Sequence, residues 1–249
     1  MKKALFWIII VALLGVFAYS SYQIGGYLLE KRRSDKSVEE VARYVRVPDG
    51  YGAKKDGVSD GNEEDPNRIE VDFDALWEIN SDVVAWLVSP DTGINYPVLQ
   101  APDNDYYLHR LIDGNWNDNG SLFLDYRCSG DFSDENSIIY GHNMRSGAMF
   151  GNLVKYKDQN YYDEHSDIYL VTPERQYRLD LFAGCIIESD ADIYQNHVSQ
   201  EYLQRCIARS TFQPDHVVVP EGPILTLSTC SYEFQNARYV VLGVLVPTD

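Results

Sequence analysis

Short apolar runs recur along most of the chain: VVAWLVSP (83–90), INYPVLQ (94–100), GSLFLDYR (120–127), NSIIYGH (136–142), DIYLVTP (167–173), QYRLDLFAGCIIE (176–188), HVVVP (216–220), ILTLSTC (224–230) and RYVVLGVLVP (238–247). They are rich in β-branched and aromatic residues and punctuated by Pro, Gly, Asn and Asp, the pattern of strands separated by turns. Two segments have helical spacing instead. FDALWEIN (73–80) places Phe73, Leu76, Trp77 and Asn80 near one face, and SQEYLQRCIARS (199–210) does the same with Tyr202, Leu203, Cys206 and Ile207. So many strands with so few helices predict an all-β fold with added helices, closed or nearly closed into a barrel, since closure removes exposed edges.

The N-terminus follows a different pattern. Ala4 to Leu29 carry no charge, and at about 1.5 Å per residue such a helix crosses a bilayer core of roughly 30 Å. The densest apolar part ends near Tyr19, which also fits a signal peptide cleaved at Ala18-Tyr19-Ser20; an uncleaved anchor is the reading adopted. Lys2 and Lys3 precede the span while Lys31, Arg32 and Arg33 follow it, so charge alone does not set its orientation. Beyond it, Ser37-Val38-Glu39-Glu40 has the form of a capping box starting a short helix through Val45. Residues 48–68, PDGYGAKKDGVSDGNEEDPNR, are almost devoid of apolar side chains and read as a linker. The chain divides into an anchor and flank (1–33), a short helix with polar linker (34–68), and a compact domain (69–249) of roughly 180 residues, a normal single-domain size.

Composition narrows the function. With 45% hydrophobic residues in 249, the chain can bury one sizeable core. A net charge of −17 and a pI near 4.6 exclude a nucleic-acid partner, because phosphate binding needs clustered Lys and Arg. The cysteines, Cys128, Cys185, Cys206 and Cys230, form no CxxC pair, so the pattern offers no metal or dithiol site. Cys185 and Cys206 fall on apolar segments and read as buried small hydrophobes.

Cys230 has different neighbours. If ILTLSTC is a strand, Ile224, Thr226, Ser228 and Cys230 share a face, and the loop SYEFQNA returns the chain so that Arg238 begins the partner strand. Opposed side chains in such a pair sit about 5 Å apart at Cβ. A cation there favours thiolate over thiol and can donate to an oxygen that becomes negative during acyl transfer. The alternative is an Arg at a strand edge bonding local carbonyls. His142 follows the apolar run SIIYG and stands at a strand end, whereas His109, His165, His197 and His216 lie in polar or Pro-flanked stretches where solvated side chains are expected. A Cys nucleophile acting on an amide needs a His to protonate the departing amine.

TLSTC (226–230) with Arg238 eight residues on, IIYGHNM (138–144) and MFGNL (149–153) resemble the motifs of a sortase. VVAWLVSPDTGINYPVLQAPDNDYYLHR (83–110) and GSLFLDYR (120–127) are similar to the class B branch, as is the position of the helix at 199–210. The resemblance runs from about Phe73 to Val246. It implies a closed eight-stranded barrel, a single-pass anchor with the domain outside a Gram-positive cell membrane, and transpeptidation of secreted proteins without metal or cofactor.

By the same resemblance Cys230, His142 and Arg238 are the catalytic residues. Ser228 matches a serine that steadies the Arg or the substrate, Asn104 and Leu108 match one wall of a peptide groove, and Ile193 and Tyr194 match the other. The implied reaction is cleavage of a Pro-x-Thr-containing sorting signal through a Cys thioester, then transfer to a cell-wall precursor amine. A pilus-building enzyme would use a pilin Lys amine instead, and a wall-associated binding module would keep the barrel without catalysis. Some class B members place the Arg farther from the Cys, so loop 231–237 shapes the groove differently here. Asp65-Pro66-Asn67 resembles a class C lid motif but lacks its aromatic third residue and reads as a turn.

Overall fold

Eight strands close into one barrel in the computed structural model, which describes residues 2–48, 68–216 and 220–248. They are β3 (Val83–Ser89), β4 (Ile94–Leu99), β5 (Leu122–Leu124), β6 (Asn136–Tyr140), β7 (Tyr169–Val171), β8 (Gln176–Glu188), β9 (Ile224–Cys230) and β10 (Ala237–Pro247). Around the barrel the order is β10-β8-β7-β3-β4-β5-β6-β9. Pairing is antiparallel except at β4–β5 and β6–β9, which are parallel. Of HVVVP, residues 217–219 lie outside the described residues, while His216 and Pro220 belong to no strand.

Alternation along the strands sorts the core into an inside and an outside. Leu225 and Leu227 of β9, Tyr239 and Val241 of β10, and Leu87 of β3 fill the barrel interior. The intervening Ile224, Val240 and Leu242 point outward and are covered by Leu203 and Cys206 of α4 (Gln200–Ala208). Ser199 caps that helix by accepting from the Tyr202 N–H at 3.2 Å. Strand β8 serves both layers through a bulge: Leu242 pairs with Ala183 and Gly243 with Leu181, so Phe182 is the extra residue. Cys185 and Cys206 are buried in the outer layer.

The N-terminal region departs from expectation. One continuous helix, α1, runs Lys2–Ala42, so Ser37 does not start a helix. Ser34, Val38 and Val41 recur on one face and press on the barrel, with Ser34 and Val41 buried and Val38 partly so. That packing and the Lys31–Asp35 and Lys36–Glu40 pairs extend the helix through the capping-box residues. Next, β1 (Val45–Arg46) pairs with β2 (Glu70–Val71), and α2 (Phe73–Ile79) buries Phe73 and Leu76 beside Val41. Packing on the barrel therefore begins near Ser34, ahead of Ile69. The expected linker, apart from Pro48 and Arg68 at its ends, and the expected turn at Asp65-Pro66-Asn67 lie outside the described residues.

Candidate active site

Three neighbouring strands bring the candidate residues into line. In the β9–β10 ladder Cys230 pairs directly with Arg238. On its other side β9 runs parallel to β6 with Tyr140 level with Ser228. Just past the end of β6, the Gly141 N–H donates to the Ser228 carbonyl at 3.1 Å, so the chain enters His142 alongside the Ser228–Cys230 end of β9. Cys230, His142 and Arg238 all line a groove of about 850 Å³.

The backbone around the half-buried Cys230 is tied down on both sides. Its carbonyl accepts from Asn143 Nδ2 at 2.8 Å, and the Thr229 hydroxyl donates to the Gly141 carbonyl at 2.7 Å. After Cys230, Ser231 N–H donates to the Ala237 carbonyl at 2.9 Å and its hydroxyl accepts from Lys157 Nζ at 2.7 Å. Lys157 also pairs with the Glu233 carboxylate. Burial alone would raise the Glu233 pKa, but hydrogen bonds from Lys157 and Ser231 outweigh it and hold the carboxyl at about 2. Arg238 Nη1 donates to the carbonyls of Asn236 and Ala237 at 3.3 and 3.1 Å, the local bonding open as an alternative in the sequence, while the side chain still lines the groove.

His142 is positioned by the strand end and by a facing carbonyl. Gly141 precedes it because a Cβ there would lie 2.4 Å from Leu122 Cδ2 and 2.7 Å from Phe150 Cδ2. His142 Nε2 sits 2.7 Å from the Leu108 carbonyl oxygen. A carbonyl only accepts, so Nε2 carries hydrogen in both charge states and Nδ1 is the nitrogen that gains and loses a proton. Burial pushes the imidazole pKa below its ordinary value, partly offset by the Leu108 carbonyl. His109, expected to be solvated, instead has its ring centre 5.7 Å from that of His142 and stacks on Trp116 at 5.0 Å. The 3₁₀ turn Tyr107–His109 that aims the Leu108 carbonyl carries His109 with it.

Asn104, Leu108, Ser228 and Tyr194 also line the groove. Tyr194 and Ser228 share a hydroxyl–hydroxyl bond of 2.8 Å. Ile193 does not form the wall. The 3₁₀ turn Asp192–Tyr194 sends its side chain into the layer under α4, where it is fully buried.

Sequence reasoning missed the support beneath this wall. Asp125 is fully buried and accepts from Arg127 Nε and Nη2 at 2.9 and 2.8 Å, Asn104 Nδ2 at 3.1 Å and the Tyr140 hydroxyl at 2.9 Å. Burial alone would raise its pKa; these bonds, led by Arg127, hold it below the usual carboxylate value. Arg127 Nη2 also donates to the Tyr194 carbonyl at 3.0 Å, linking the two walls. The available signal was the i, i+2 charge pair in LDYR, an Asp and an Arg close enough in sequence to meet in the turn that follows β5.

A sortase domain model matches residues 87–246. Sortase B of Listeria monocytogenes is 33% identical over 245 residues, covering 95% of this chain and 94% of that protein. The crystal structure of sortase B from B. anthracis superposes with a TM-score of 0.71 at 31% identity, covering 88% of this chain and 99% of that one. A Staphylococcus aureus sortase B–substrate complex gives 0.66 at 29% identity, covering 71% and 85%.

Barrel and groove thus define a cysteine transpeptidase. The chain belongs to the sortase family, in its class B branch.

Proposed function

We propose that Cys230, His142 and Arg238 carry the transpeptidation. The reading rests on the cross-strand pairing of Cys230 with Arg238 and on one groove lined by both together with His142, just past the end of β6. The Cys230 thiolate attacks the Thr carbonyl of a Pro-x-Thr-containing sorting signal. The tetrahedral oxyanion is met by the Arg238 guanidinium and a backbone N–H. As the C–N bond breaks, His142 Nδ1 gives its proton to the departing nitrogen, leaving a Cys230 thioester and neutral His142. An amine then attacks the thioester, Nδ1 takes up the amine proton, and the C–S bond breaks to restore thiolate and imidazolium. Sulfur and proton return to their starting states, so each cycle exchanges one amide for another.

The acceptor is read as a cell-wall precursor amine, and α1 as a single-pass anchor holding the barrel outside the cell membrane. A substrate complex among the similar structures supports a peptide in this groove. The test is mass spectrometry of products from a panel of sorting peptides, with a wall-precursor-type amine and a Lys side-chain amine in competition. Transfer to the precursor-type amine supports the reading; exclusive use of the Lys amine would favour pilus assembly.

A further inference from the structure

Asn117 Nδ2 donates to the Glu30 carbonyl at 2.9 Å. That bond fixes the loop after the 107–109 turn beside α1, one residue beyond the last uncharged position of the apolar segment, Leu29. N-terminal to this point the helix projects from the barrel with its large apolar side chains mostly exposed, and its first buried residue is Ser34. The barrel surface next to this exit carries Trp116, 60% exposed, and Tyr106, 43% exposed. Arg110 lies between them, its guanidinium carbon 4.7 Å from the Tyr106 ring centre and 5.9 Å from that of Trp116. None of the three lines the groove.

Exposed Trp and Tyr flanking an Arg, level with the end of an apolar span, match the chemistry of a phospholipid headgroup layer. The rings suit the boundary between acyl chains and headgroups, and a planar guanidinium suits phosphate. We propose that Trp116, Tyr106 and Arg110 dock on the headgroup layer of the bilayer and hold the His142 side of the groove against the membrane surface. The inference rests on the reading of α1 as a membrane span. Trp116 stacks on His109, whose ring adjoins that of His142, so the patch and the groove are two sides of one aromatic stack. Glu30, Asp35, Asp113 and Asp118 offset Lys31, Arg32, Arg33 and Arg110 in the same stretches. Docking therefore comes from interfacial partition and does not require anionic lipid.

The experiment uses the full chain carrying Trp7→Phe, which removes the tryptophan of the span, reconstituted in phosphatidylcholine vesicles. Fluorescence quenching by a headgroup-level nitroxide lipid is compared with that of the same chain also carrying Trp116→Phe, a change that keeps a ring on His109. The proposal expects a quenchable component that disappears in the second protein and persists in high salt. Equal lipid quenching of both, with Trp116 open to aqueous iodide, overturns the patch while the chain still floats with vesicles in alkaline carbonate. A chain that fails to float overturns the span reading, and the proposal with it.

Discussion

Arg238 is the direct cross-strand partner of Cys230, and its guanidinium donates to the carbonyls of Asn236 and Ala237. Those two bonds hold the planar group at the mouth of the hairpin, in the groove that Cys230 also lines. A Lys at this position keeps the charge but not the fork. Arg238→Lys should lower kcat by about 100-fold, as removal of an oxyanion donor does elsewhere, with an unchanged thermal melt. A Lys variant within about threefold of wild type, a barrier difference of roughly 0.7 kcal/mol, would leave Arg238 only an electrostatic neighbour of the thiol.

The depressed pKa of His142 has a sign that pH profiles can read. Burial is its main cause, with the His109 ring adding to it and the Leu108 carbonyl and Asp118 opposing. The productive state holds one proton, on His142, with Cys230 as thiolate, so kcat/KM is bell-shaped. The acid limb should fall below the ordinary imidazole value of about 6.5. In stability the unfolded chain binds this proton more tightly. The His142 contribution is therefore full above about 6.5 and is lost as pH falls through that value toward the folded pKa. His142→Gln should abolish turnover and flatten that part of the stability curve; a flat rate profile from about pH 5 to 10 counts against the pair.

Gly141→Ala tests how tightly the catalytic histidine is seated. Its Cβ would enter contacts of 2.4 Å with Leu122 and 2.7 Å with Phe150, both buried. Overpacking of this kind costs about 1–3 kcal/mol, and relief by moving the strand end would displace His142. Both the melting temperature and kcat should fall. Unchanged kcat in a folded variant would show that His142 is held from the Leu108 side.

The groove wall depends on Asp125. Asp125→Asn keeps the shape but leaves Arg127 without its carboxylate partner and loosens Asn104 and Tyr140. Hydrogen bonds to a charged group contribute about 1.5–3 kcal/mol each, so denaturant melts should show a loss of that order. KM for the peptide should rise more than kcat falls. An unchanged KM would mean that the wall is set by other contacts.

Much of this architecture was legible in the chain. Strand β8 was read to its bounds, and the pairing of Cys230 with Arg238 followed from β9 and a seven-residue return, because alternation and turn residues act over short distances. What the sequence hid depends on tertiary contacts. The face Ser34, Val38, Val41 is helical by pattern, but only the barrel beneath it carries α1 through the capping-box residues. His109 looked solvated because nothing local announces that a 3₁₀ turn brings it beside His142. Ile193 was grouped with Tyr194 in one wall, because nothing in the sequence tells which of the two the single turn Asp192–Tyr194 faces to the groove. The role of Asp125 needed partners 15 and 21 residues away to come into view.

The central claim is that Cys230 is the nucleophile that carries the acyl group. The direct measurement is intact-protein and peptide-level mass spectrometry after brief reaction with a sorting peptide in the absence of acceptor amine. The account predicts an added mass equal to the peptide N-terminal to its cleaved bond, on the fragment containing Cys230, absent from Cys230→Ala, which should melt like wild type. An adduct on Cys128, Cys185 or Cys206, or continued turnover by Cys230→Ala, would contradict it.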